Sequence, residues 1–192
     1  QQLKNIKEIN CNETNTYFLI SILAGVSLKT LETIFPKHNC VRAVTNIPIT
    51  IGKGLTGIAW NNDIDHKNKI FIKNIFKNSG KVFEMAEDYL DIFLALTSSS
   101  PAIIALIIEA LSDGGLSGGL TKELSEELVL DMILGTVLMM KDLDISPSDL
   151  KNKVTSPAGT TIAALRILEK KGFRSALIES IMAAMNKSKE FK

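Results

Sequence analysis

Ser156, Pro157, Gly159, Thr160 and Thr161 stand together in the stretch VTSPAGTTIAAL, residues 154–165. They are hydroxyls set around one proline and one glycine, at the head of an apolar-periodic run. Pro157 donates no N–H and biases Ser156 away from helical backbone. Gly159 permits a left-handed or otherwise tight conformation. Thr160 or Thr161 is placed to cap a helix whose apolar side reads Ile162, Leu165, Ile167 and Leu168. The unpaired N–H groups of that first turn, a backbone nest at Gly159 and up to three hydroxyls suit an anion, most simply a carboxylate. The same residues also serve as a plain helix cap, and residue types alone leave both readings open.

Other chemistry is thin. Gly52 to Gly57 (GKGLTG) matches G-x-G-x-x-G, but Ile58-Ala59-Trp60-Asn61-Asn62 follows without helical periodicity. A dinucleotide fingerprint must open a helix, so a hairpin or strand pair is the better reading. His38 and His66 are isolated in polar surroundings without metal-ligand spacing, so no metal is expected. There is no Walker motif, no Ser/His/Asp or Cys/His set and no paired-carboxylate signal. Cys11 and Cys40 do not make a disulfide framework, which suits a reducing, cytoplasmic setting. Asp131, inside an apolar run, reads as a hydrogen-bonded core or interface carboxylate.

The elements that must position these residues fall into two kinds. Tyr17 to Ile22 is a near-continuous apolar strand, of the type covered on both faces of a parallel sheet. Ala24-Gly25-Val26 turns, Ser27 caps a short helix, and Cys40 to Val44 is a second strand. Ile64 to Asn78 is an amphipathic helix starting near Asp63 to Asp65, and Lys81 to Met85 a short strand. Only helical patterns follow Ala86. The expected architecture is α/β over residues 1–86 and all-α over residues 87–192.

In the second part, Ser100 and Pro101 signal the start of a helix through Leu111, ended by Asp113-Gly114-Gly115. Thr121 caps a helix to about Leu143 that is apolar nearly all round. Such a helix is central to a bundle or buried by a second copy. Ser146-Pro147 starts another helix, Gly172 ends the one after the loop, and the last carries Leu177, Ile178, Ile181 and Met182.

The 192 residues include 22 basic and 21 acidic side chains, 45% are hydrophobic, and mean hydropathy is +0.16. This is a globular composition with no basic stripe, so nucleic acid is not an expected partner. The longest apolar run, Ala102 to Ile108, is too short to cross a bilayer, so a membrane is not expected either. Few strands are available to cover the first one, and the chain starts without methionine, so it reads as the C-terminal part of a longer protein.

At residues 154–169 the chain resembles pyrroline-5-carboxylate reductase, whose signature is usually written V-T-S-P-G-G-T-T. Ile22 to Ser27 is similar to that family's A-A-G-V-S segment. Arg42 to Pro48 resembles its R-x-M-P-N-T-P loop, Leu96 to Ala102 its L-S-G-S-G-P-A, and Gly172-Phe173-Arg174 its G-F-R. The resemblance implies a partial Rossmann domain lacking its first dinucleotide-binding unit, followed by an all-α dimerisation bundle. It implies reduction of the C=N bond of 1-pyrroline-5-carboxylate to L-proline with NADPH or NADH, and a homodimer, in many members within a ring of dimers.

By the same resemblance, Ser156, Gly159, Thr160 and Thr161 hold the substrate carboxylate, and Ser98 to Ser100, Ser99 among them, face the substrate. Asn46 and Pro48 border the nicotinamide. Asp144 corresponds to an acidic residue near the imine in some members, but Thr161 is the expected catalytic hydroxyl. Ala158, Ser98 and Ser100 stand where the family shows glycine, and Thr45 and Ile47 where it shows proline and threonine. These departures leave a second reading, an inactive dimerising relative. If position 158 needs positive φ, alanine costs about 1 kcal/mol there.

Overall fold

A computed structural model describes residues 17–61 and 64–191. The polar start through Thr16, with Cys11, and the expected helix start at Asp63 lie outside the described residues. The chain forms two compact units, Gln1–Ser100 with Ile181–Lys192, and Pro101–Ser180.

The first unit runs β1 (Tyr17–Ser21), α1 (Leu28–Ile34), β2 (His38–Thr45), a 3₁₀ turn (Ile47–Ile51), β3 (Gly54–Trp60), α2 (His66–Lys77) and β4 (Gly80–Glu84). A second 3₁₀ turn (Glu87–Tyr89), α3 (Leu90–Leu94) and a π-helical turn (Ala95–Ser99) follow. The sheet order is β1-β2-β3-β4, with parallel, antiparallel and parallel pairings in turn. Ser27 caps α1 as expected, its Oγ accepting from Thr30 N at 3.1 Å. Glu87 Oε1 adds an acceptor for Leu28 N at 2.8 Å. Asp65 caps α2 by accepting from Asn68 N at 2.8 Å.

Period-2 alternation on β2 sorts the core. Cys40 and Val44 pack with Leu31 and Leu90 from α1 and α3, while Val41 and Ala43 pack with Ile58 and with Ile72 of α2. The strands covered on both faces are therefore β2 and β3, which corrects the expectation for β1. Among the described residues β1 is an edge strand paired only with β2, and most of it is half-buried. Burial and the nearby Glu32 carboxylate push the Cys40 thiol pKa up, so it is an inert core residue. The G-x-G-x-x-G run does form a hairpin. Gly52 ends the 3₁₀ turn at φ 69, and a Cβ on Gly57 would stand 2.9 Å from the Phe93 ring.

At the outer end of the sheet, Glu84 accepts from Lys73 Nζ at 2.6 Å and from Trp60 Nε1 at 2.9 Å. The Lys73 hydrogen bond holds its carboxyl below the usual range.

The second unit comprises α4 (Ser100–Ser117) after its first residue, α5 (Lys122–Asp142), α6 (Pro147–Lys153), α7 (Thr160–Lys170) and the first half of α8 (Phe173–Lys189). Thr121 and Ser146 cap α5 and α6 as expected, accepting from Leu124 N at 3.3 Å and Asp149 N at 3.1 Å. Ser100 does not cap. The helix runs on from Leu90 through the π turn to Ser117, because the π turn absorbs Pro101 inside the run. Gly114 and Gly115 are internal to it. Gly115 faces Ser125, where a Cβ would come within 2.6 Å of the hydroxyl.

This continuity also corrects the estimate drawn from Ala102 to Ile108. The run Glu87–Ser117 spans 31 residues with a mean hydropathy of 1.9 in its most apolar window, enough to cross a bilayer by length and composition. Within the second unit only Ser112, Ser125 and Leu150 are buried. Leu128, Met132 and Leu134 of α5 stay about half exposed, at 51%, 50% and 58%. Asp131 is likewise exposed, so it is not a core carboxylate of the single chain. The apolar surface of α5 is not covered within the unit.

Candidate functional site

One set of expected site residues lies in the first unit, where β1 and β2 run parallel and so end on the same side. In open α/β sheets ligands bind outside those carboxyl ends. Ile22 and Ile47 follow the two strands and are 65% and 70% exposed. Asn46 joins β2 to the 3₁₀ turn, and Pro48 stands half-buried in that turn. Asn46 itself is buried. Its Oδ1 accepts from Leu55 N at 2.8 Å, and its Nδ2 donates to Thr97 O at 3.1 Å. Ser98 Oγ donates to Thr45 O at 2.9 Å. These bonds tie the π turn, and Ser99 on it, to the end of β2.

The other set lies in the second unit. Gly159 is the N-cap of α7, and no side chain caps the helix. Thr160 and Thr161 are its first two helical residues, which corrects the expectation that one of them is the cap. The reversal occurs one residue earlier than expected. Ala158 takes the left-handed conformation at φ 56, whereas Gly159 is extended at φ −79. A Cβ on Gly159 would press on the Ser156 hydroxyl, which would have to turn aside. Gly159 N donates to Ser156 O at 3.2 Å. Ser156, Gly159, Thr160 and Thr161 thus share one helix mouth, with Ser156 and Thr160 exposed and Thr161 half-buried.

An uncapped N-terminus of this kind presents unpaired N–H groups and the positive end of the helix dipole, flanked here by hydroxyls. It can hold a carboxylate. Neither set contains a carboxylate, imidazole or thiol. Asp144 is exposed in the α5–α6 turn at φ 48, a conformation aspartate tolerates. Among the described residues no group of three or more His, Cys, Asp or Glu is placed to hold a metal ion.

The strain at Ala158 is testable. Ala158→Gly removes a left-handed penalty of about 1–2 kcal/mol and adds about 0.5–1 kcal/mol of unfolded-chain entropy. The expected net is a gain of about 0.5 kcal/mol, read as a higher urea midpoint at unchanged slope. A lower midpoint would show that the site is unstrained.

Residue types did not point to one cluster. Arg42 is fully buried on β2, with Nη1 at 3.1 Å from Glu87 Oε1 and Nη2 at 3.9 Å from Asp91 Oδ1. Ser188 Oγ of α8 donates to Asp91 Oδ1 at 2.9 Å. The available signal was an arginine inside the apolar run Cys40 to Val44, a position that burial makes costly unless it is paired.

Residues 87–191 match the model of the pyrroline-5-carboxylate reductase dimerisation domain. A Synechocystis protein named pyrroline-5-carboxylate reductase is 44% identical over 176 residues, covering 92% of this chain and 66% of its own length. One of the same name from Aquifex aeolicus is 31% identical over 191 residues, 99% of this chain and 69% of its own. The crystal structure of the Plasmodium falciparum pyrroline carboxylate reductase with NADP bound superposes with a TM-score of 0.86 at 34% identity, over 91% of this chain and 71% of that one. The chain spans about two thirds of the length of the curated relatives it matches. The fold, the ordered motifs and these matches agree, and the chain belongs to the pyrroline-5-carboxylate reductase family.

Proposed function

We propose that the protein reduces the C=N bond of 1-pyrroline-5-carboxylate to L-proline, with NADPH or NADH as the cofactor. Residues 1–86 form the cofactor-side domain, and residues 87–192 the helical domain for dimerisation and substrate binding. The observation that carries this reading is the mouth of α7, left without a side-chain cap although Ser156, Thr160 and Thr161 flank it.

The cofactor's fit rests on the carboxyl ends of β1 and β2. Exposed Ile22 and Ile47 offer apolar surface to a nicotinamide there, and Asn46 and Pro48 form the loop that borders it. When bound, the cofactor supplies a hydride. The chain's residues orient the imino acid. The N–H groups of the first turn of α7 and the Ser156, Thr160 and Thr161 hydroxyls hold its carboxylate. Ser99 contacts the substrate from the π turn. The ring nitrogen needs a proton, and Thr161 is the hydroxyl proposed to relay it from water, since neither set supplies a carboxyl or imidazole.

The relatives' family model names a dimerisation domain. A homodimer, extended to a ring of dimers as the family resemblance implies, covers the apolar helices with a second copy, not lipid, and the protein acts in the cytoplasm.

The test is cofactor oxidation by the full-length gene product. Consumption of NADPH or NADH should depend on pyrroline-5-carboxylate, and L-proline should appear. Thr161→Ala should raise the KM for the imino acid about tenfold, with a smaller fall in kcat. Absence of proline under these conditions selects the alternative, an inactive dimerising relative.

A further inference from the structure

Four consecutive hydroxyls, Thr97 to Ser100, stand at the π turn, and three are committed to backbone carbonyls. Thr97 Oγ1 donates to Phe93 O at 2.7 Å, Ser98 Oγ to Thr45 O at 2.9 Å, and Ser100 Oγ to Ala95 O at 3.0 Å. Ser99 alone of the four makes no side-chain hydrogen bond.

The turn also contains a chemical gap. In regular α register the N–H of residue 101 would donate to Thr97 O, but residue 101 is proline. A half-buried carbonyl left without a donor is unfavourable. The donor found at Thr97 O is Asn46 Nδ2, at 3.1 Å. The other end of that amide accepts from Leu55 N, and Asn46 is only 8% exposed. The Asn46 side chain is spent on the protein, with its oxygen and one amide hydrogen engaged.

We infer that Asn46 is a positioning residue, whose amide replaces the N–H that Pro101 lacks and holds the π turn so that Ser99 keeps an uncommitted hydroxyl for the substrate. The assignment of Ser99 to the substrate rests on the function proposed above; the pairing of Asn46 with Pro101 does not. The π register places one extra residue in the turn, and such turns recur at functional sites. Asn46 acts on the imino acid through the turn, while Ile47 and Pro48 are left to border the nicotinamide.

The test uses steady-state kinetics and thermal melting on the full-length gene product. Asn46→Asp keeps the acceptor for Leu55 N and removes the donor. Its expected effect is a KM for the imino acid raised about tenfold, with the KM for the cofactor changed by less than about twofold. Ser99→Ala should raise the same KM, and the double variant should add little, because both act through one hydroxyl. An effect on cofactor KM instead, or full additivity with Ser99→Ala, overturns the inference. Pro101→Ala, added to Asn46→Asp, returns an N–H to Thr97 O. The melting temperature should recover toward wild type while the KM stays raised, since the turn relaxes to α register. Additive melting losses at positions 46 and 101 also overturn it. A gene product without reductase activity defeats the proposed function, and the melting comparison then still decides the pairing.

Discussion

Leu134→Glu is expected to convert the homodimer to monomer and to remove activity with it. Leu134 is 58% exposed on α5, and Leu130 and Leu138, on the same stripe at four-residue spacing, are 52% and 46% exposed. Gly135 beside it has nothing within 4 Å where its Cβ would stand, so a second helix can approach there. A helix with this surface is stable in water only when something covers it. Each leucine fully buried contributes about 1.5–3 kcal/mol, so this stripe alone carries roughly 5–9 kcal/mol, the scale of a micromolar association. Glutamate removes one leucine's share and adds the cost of desolvating an unpaired carboxylate. The dissociation constant should rise at least about a hundredfold.

Sedimentation velocity across a concentration series reads this directly, with Leu134→Met as the volume-conserving control. A Leu134→Glu protein that stays dimeric at wild-type affinity removes α5 from the interface. The same experiment addresses the apolar run Glu87–Ser117. If lipid covers it, the wild-type chain will need detergent to remain in solution; if a second copy covers it, the dimer will form in detergent-free buffer.

Local patterns in the sequence carried much of the fold. Ser27, Thr121 and Ser146 announced three helix starts because a capping hydroxyl leaves a residue-type signature. The absence of helical periodicity after Gly57 was enough to read the glycine-rich run as a hairpin. The misses are cases where partners distant in sequence override the local rule. Ser100-Pro101 has the signature of a helix start, yet Asn46, more than fifty residues earlier, donates to Thr97 O and lets the helix pass through. Tyr17 to Ile22 reads as doubly covered, but strand order decides coverage, and β2 and β3 took the central places.

In the candidate site, the residue types at 156–161 and their service at one helix mouth were legible. The backbone was not. Glycine is the residue expected to take positive φ, and here Ala158 takes it while Gly159 stays extended. Only comparison with a family glycine at position 158 pointed there. Ser99 could not be singled out among four neighbouring hydroxyls until the partners of the other three were known.

Arg42→Met should destabilise the protein by about 3–5 kcal/mol, the cost of breaking a buried ion pair from one side. Arg42 is fully buried, and Asp91 is 1% exposed. Nη1 bonds Glu87 at 3.1 Å, but Nε and Nη2 make no hydrogen bond, and Nη2 reaches Asp91 only at 3.9 Å. The cluster is therefore incompletely satisfied, and its net contribution over an apolar core is small. Removing the guanidinium alone is different, because it takes the nearby cation away from the buried Asp91 carboxyl. For a chain of this size the expected loss is roughly 10 °C in melting temperature.

The double variant Arg42→Met and Asp91→Leu should recover most of that loss, and adding Ser188→Ala, which removes the hydroxyl that donates to Asp91, should recover more. Recovery would show that the charges supply specificity and not stability. They join β2 to α3 just ahead of the π turn, and they hold the end of α8 to the first unit. A repacked core should then melt like wild type while the turn carrying Ser99 is held less firmly. That predicts a raised imino-acid KM in a fully folded protein, whereas a KM equal to wild type would assign the cluster to folding alone.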